Sequence, residues 1–139
     1  MKILLTLIAS LVASAAFAQV QEPAKTLDGY WTGRVACGEM KMMGATGSSG
    51  AATSRPISFS IKGDALLFTY ESKNMHEKWE GKISGNVVEI TGIGSRLDVQ
   101  GYWTIKGTGN FTGTTLEGKS TVYGTRGVLR DCTFKVEKE

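Results

Sequence analysis

Apolar and polar residues alternate at a period of two through most of the chain. Ile57, Phe59 and Ile61 alternate with Ser58, Ser60 and Lys62, Gly63-Asp64 supplies a turn, and Leu66, Phe68 and Tyr70 share one face of 65–71. That pattern predicts a hairpin of half-buried strands. A further strand over 76–84 sets Met75, Glu77, Trp79, Gly81 and Ile83 against His76, Lys78, Glu80 and Lys82. The wholly polar second face belongs in water.

Gly85-Asn86 predicts a turn into a strand over 87–91, and Gly92-Ile93-Gly94 predicts another turn. Leu97, Val99, Gly101, Trp103 and Ile105 then alternate with Arg96, Asp98, Gln100, Tyr102, Thr104 and Lys106. Gly107-Thr108 is expected to turn the chain into 109–123, read as one long bulged strand, although a break near Glu117-Gly118 would raise the count to nine or ten. The last strand points Val128, Arg130, Cys132, Phe134 and Val136 inward and Leu129, Asp131, Thr133, Lys135 and Glu137 outward. Near the start, Trp31, Gly33, Val35 and Cys37 share one face and Tyr30, Thr32, Arg34 and Ala36 the other. Between that strand and Pro56 lies a 17-residue stretch, Gly38 to Ser54, rich in Gly, Ala, Ser, Thr and Met and lacking alternation. A connection of that length in a small domain is a lid, a binding loop or disorder.

Gly29-Tyr30-Trp31 at the head of a strand-rich chain resembles the first-strand Gly-x-Trp of lipocalin-like and avidin-like barrels. The resemblance implies an all-β fold, an eight-stranded antiparallel up-and-down (meander) β-barrel closed around a cavity. An even count lets first and last strands pair antiparallel. It also implies that Trp31 closes the barrel floor and that the long first loop, with Met40, Met42 and Met43, forms a lid over the mouth.

Lys2, the uncharged run from Ile3 to Ala18 and the small-residue site Ala16-Phe17-Ala18 predict a cleavable signal peptide at 1–18. A loose leader at 19–26 and one domain at 27–139 follow. The 16-residue run is shorter than the roughly 20 residues of a membrane span, and position 19 is Gln rather than a lipid-carrying Cys. A periplasmic or secreted protein, off the membrane after cleavage, is therefore expected. In such a compartment Cys37 and Cys132, both at inward positions, most simply form a disulfide, although free thiols stay open. The 95-residue loop it closes would stabilise the fold by roughly 4 to 5 kcal/mol. The formal charge of +3 falls by one with Lys2 and is unclustered, so nucleic acid is not an expected partner.

The chemistry of the chain is sparse. Gly113 to Ser120 matches the phosphate-loop pattern G-x-x-x-x-G-K-S, but Thr121-Val122-Tyr123 continues as strand rather than helix, so the match is discounted. Asn110-Phe111-Thr112 is a glycosylation sequon, relevant only in a host that uses it. His76 is the sole histidine and sits on the polar face, and no nucleophile-base pair or carboxylate pair assembles around it. Neither an enzyme nor a cofactor is expected. Met40, Met42 and His76 form an alternative soft-metal set for Cu(I) or Ag(I), loosely resembling periplasmic copper chaperone barrels. Glu77 and Arg130 break the inward apolar pattern. They imply either a buried or rim salt bridge or polar anchors for a ligand. The expected function is non-catalytic binding or carriage of a small apolar molecule among Phe59, Phe68, Tyr70, Glu77, Trp79, Trp103 and Arg130. The alternative is an interaction protein, such as an inhibitor of an extracellular protease or lysozyme.

Overall fold

The computed structural model describes residues 26–41, 50–98 and 101–139. The expected signal peptide, nearly all of the leader, Met42, Met43 and Val99 lie outside the described residues. Eight strands follow one another: β1 (Gly29–Cys37), β2 (Thr53–Lys62), β3 (Ala65–Glu71), β4 (Met75–Ser84), β5 (Val87–Arg96), β6 (Gly101–Thr112), β7 (Thr115–Gly124) and β8 (Gly127–Lys138). Each pairs antiparallel with the next, and β1 pairs with β8, so the meander is a closed barrel. Among the described residues no helix is long and apolar enough to cross a membrane.

One end of the barrel gathers the start of β1, the end of β8 and three two-residue turns, Gly63-Asp64, Gly85-Asn86 and Gly113-Thr114. The leading glycines have φ of 62°, 61° and 61°, the left-handed conformation that tight hairpins require and other residues resist. We call this the terminal end and the opposite one the mouth. Trp31 is fully buried toward the terminal end, its Nε1–H donating to the Leu27 carbonyl at 2.9 Å and its ring meeting Phe111 edge-on at 5.3 Å. Asp28 accepts the Gly63 N–H at 2.8 Å, and Lys138 donates to the Thr26 carbonyl at 2.7 Å.

The interior is filled with side chains from all eight strands. Its centre is a set of rings in mutual contact: Phe59 lies 6.2 Å from Phe68, 6.0 Å from Trp79 and 5.7 Å from Phe134. Two of these contacts are edge-on and the one to Trp79 is tilted, and such packing adds to what burial alone contributes. The outward positions of β4 are polar, as are those of β6 apart from the exposed Tyr102. Toward the mouth Cys37 lies directly opposite Cys132, with Cα atoms 3.9 Å apart, and the two are bonded. The Glu139 N–H to Tyr30 carbonyl bond fixes the even positions of β1 toward β8. The cysteines therefore occupy a non-hydrogen-bonded pair, where facing side chains come closest.

The strand count is eight as expected, but several boundaries differ. The turn expected at 92–94 is mid-strand, and β5 runs on to Arg96, so Leu97 and Asp98 form the turn instead of opening β6. Nor does Gly107-Thr108 turn the chain. β6 continues to Thr112, and the expected long strand 109–123 splits at Gly113-Thr114. Gly92 and Gly107 answer to close approach rather than to turning. A Cβ at Gly92 would sit 3.0 Å from the Trp79 ring, and one at Gly107 would sit 2.6 Å from the Lys119 carbonyl. β2 begins at Thr53, so the irregular stretch expected to reach Ser54 is shorter. Leu129, expected outward, packs against the core, because β8 slips register between Val122 and Tyr123.

Candidate functional site

The mouth carries a cleft of about 580 Å³, bounded by the upper parts of β3 to β6 and the end of β7. Tyr70, Glu77, Gly94 and Trp103 reach it from inward positions, and Glu71 and His76 stand at its rim. Trp103 lies against Gly94, where any side chain would collide with the indole. Its Nε1–H donates to Glu77 Oε2 at 3.2 Å. Glu77 Oε1 accepts the Trp79 Nε1–H at 2.8 Å and a guanidinium N–H from Arg55 Nη2.

Glu77 is thus a buried carboxylate whose two oxygens take three N–H donors from three strands. A carboxylate inside a small barrel is destabilising unless so satisfied. Here that satisfaction also locks an aromatic wall, because Trp103 can rotate only by giving up its bond to Glu77. The Arg55 guanidinium stacks over Phe68 and Tyr70, at 5.4 and 5.5 Å from their ring centres.

Only part of the expected ligand set comes together. Tyr70, Glu77 and Trp103 meet at the mouth. Phe59, Phe68 and Trp79 are buried in the ring cluster below, and none of them lines the cleft. Arg130 does not pair with Glu77. It donates to Thr53 Oγ1 at 3.3 Å on the β8 side. Met40 lies on the stem of the first loop, its N–H bonded to the Gly50 carbonyl and its side chain against Gly50. His76 is on the outer face of β4 with Nδ1 3.9 Å from Glu71 Oε1. Of the soft-metal set, Met40 and His76 stand on different elements and Met42 lies outside the described residues; among the described residues no cluster of three or more His, Cys, Asp or Glu side chains is poised for a metal.

Arg55 is the residue that sequence reasoning missed. It is in phase with Ile57, Phe59 and Ile61, so the alternation reaches it, but Pro56 reads as the start of the strand. The loop stem is tied to β8 through Gly38 N–H to the Asp131 carbonyl at 2.9 Å and Lys41 N–H to the Leu129 carbonyl at 2.6 Å. Asp131 also accepts from Thr121 at 2.8 Å and pairs with Lys41 at 3.2 Å. Those two contacts hold its carboxyl below the usual carboxylate range, Thr121 contributing most.

Fold and cleft together define a class, the small closed eight-stranded up-and-down barrel with a rim site. Comparison of the chain with protein-family models, with curated proteins and with solved structures finds no match.

Proposed function

We propose that this is an exported, non-catalytic binding protein, lipocalin-like in layout, that holds a small, largely apolar molecule in the mouth cleft. The observation that carries the reading is the Trp103 indole, fixed against Gly94 by Glu77 beside an open cleft of about 580 Å³. A concave, mostly apolar site with a few oriented polar groups is the usual form of a small-molecule pocket. Because the lower barrel is packed with rings, the ligand would lie across the mouth rather than deep inside, with one face on Trp103 and an edge at Tyr70. The disulfide fits an oxidising compartment.

Native mass spectrometry of protein purified from its own host tests the reading. A retained small molecule that disappears in Trp103→Ala supports it. Protein that carries nothing, and whose tryptophan emission does not respond to anilinonaphthalene sulfonate, would overturn it.

The second reading, an inhibitor or other interaction protein, draws on the filled core and on an exposed apolar flank beside the mouth. There Ile93, Leu97 and Tyr102 are 64%, 60% and 70% exposed. Isolation with an extracellular hydrolase bound in place of a small molecule would favour it.

A further inference from the structure

The barrel is closed by eight ladders, and one of them is cut short. β2 and β3 pair only at Ser60 with Leu67, Ile61 with Leu66 and Lys62 with Ala65. Beyond these, β2 continues to Thr53 on β1, and β3 continues to Glu71 on β4. The mouthward halves of β2 and β3 therefore face each other without a ladder.

Strand alternation fixes which backbone groups line this split. The Ser72 N–H donates to the Met75 carbonyl at 2.8 Å, so in β3 the even positions bond to β4 and the odd ones, Thr69 and Glu71, turn toward β2. In β2 the odd positions bond to β1, which leaves Ser58 and Pro56 facing the split. Pro56 has no N–H to offer, and a proline is tolerated within a strand where no ladder needs that donor. The side chains at 56, 58, 69 and 71 point outward and are exposed, so the split is approached from the solvent face of the barrel.

A second, independent feature lies on the inner side of the same split. Arg55 uses Nη2 on Glu77, but its Nη1 is buried with no hydrogen-bond partner. A buried donor left unsatisfied is destabilising and calls for an acceptor. The side chain as a whole is 28% exposed, so a small turn of the guanidinium would present Nη1 to an incoming group.

We propose that the β2–β3 split docks an extended peptide segment. The segment pairs antiparallel with β3 at Thr69 and Glu71, and its residue opposite Tyr70 is acidic, giving a carboxylate to Arg55 Nη1. Donor and acceptor groups recurring every second residue along an edge are matched by another extended backbone. The residue opposite Tyr70 points inward as Tyr70 does, toward the guanidinium. The two sites adjoin, since Thr69, Tyr70 and Glu71 also border the cleft, but this one takes a backbone and rests on Arg55 and the β3 amides whereas the cleft reading rests on Trp103, so Arg55→Gln and Trp103→Ala separate their failures.

The test is selection of a displayed short-peptide library on the intact, disulfide-bonded protein. Enriched sequences should alternate β-branched residues around one Asp or Glu. Thr69→Pro removes an edge N–H while sparing the β3–β4 ladder, and it should weaken the best peptide about tenfold. Arg55→Gln should abolish the preference for an acid, whereas Lys106→Ala on the far wall should change nothing. Should Thr69→Pro fail to fold, amide exchange in the unaltered protein replaces it, and peptide must slow exchange at Thr69 and Glu71. No enrichment over a denatured control, or binding that spares both amides, would overturn the proposal.

Discussion

The two ends of the barrel are built on opposite principles. At the terminal end, three turns of minimum length, a buried Trp31 and tethers from Asp28 and Lys138 close the barrel over apolar side chains. At the mouth, the connections are longer or less regular, the β2–β3 ladder is incomplete, and a salt bridge, Arg55 to Glu77, sits among aromatic rings. A packed apolar end gains stability from area and shape, whereas a charged mouth depends on hydrogen-bond partners, which Glu77 finds in full and Arg55 only in part. The contrast teaches that closure and recognition occupy separate halves of one sheet. The disulfide belongs to the mouth half and holds shut the β1–β8 seam, while the β2–β3 seam is left open.

The largest effect should come from that staple. Replacing Cys37 and Cys132 by Ala should lower the unfolding free energy by roughly 4 to 5 kcal/mol in urea titration, as the loop length requires. A loss below 1 kcal/mol would mean that the ladders alone close the ring. Next, Phe59→Ala in the ring cluster should cost about 4 kcal/mol. Trp103→Ala at the half-buried rim should cost about 2 kcal/mol or less while removing binding at the cleft. Equal losses of stability from the two would erase the distinction between scaffold and site.

The smallest effect concerns acid at the loop stem. Because the folded pKa of Asp131 lies below its ordinary value of 3.8, its contribution is complete above that value. It declines as pH falls below 3.8 and is gone once pH passes the folded value. NMR shifts of Thr121 and Lys41 should record this late acid step, and Asp131→Asn should remove it. An unchanged titration in the variant would show that Asp131 does not govern the stem.

How much of this could be read in advance depends on whether a residue's role is local. Ile57, Phe59 and Ile61 declare their face through their own spacing, and the polar run His76, Lys78, Glu80 and Lys82 declares water. Gly63-Asp64 and Gly85-Asn86 mark hairpins because nothing but a turn suits them between two alternating runs. Gly92 and Gly107 mislead for a physical reason. A glycine required by a neighbouring strand looks the same along the chain as one required by a turn, and only the register tells them apart.

The chain by itself therefore determined an all-β fold and most of its inward rows, since both follow from period two and from which residues avoid water, whereas the closed ring of eight came from the Gly-x-Trp resemblance and the cysteine pair from the expected oxidising compartment. Tertiary structure alone decided that Glu77 is held by Arg55, 22 residues away, rather than by Arg130. It also decided that the aromatic rows divide into a packed cluster and a rim cleft, and that one ladder stops after three pairs. Those outcomes depend on how far each strand slides and coils against its neighbours. That offset is a property of the closed sheet, carried by no single strand.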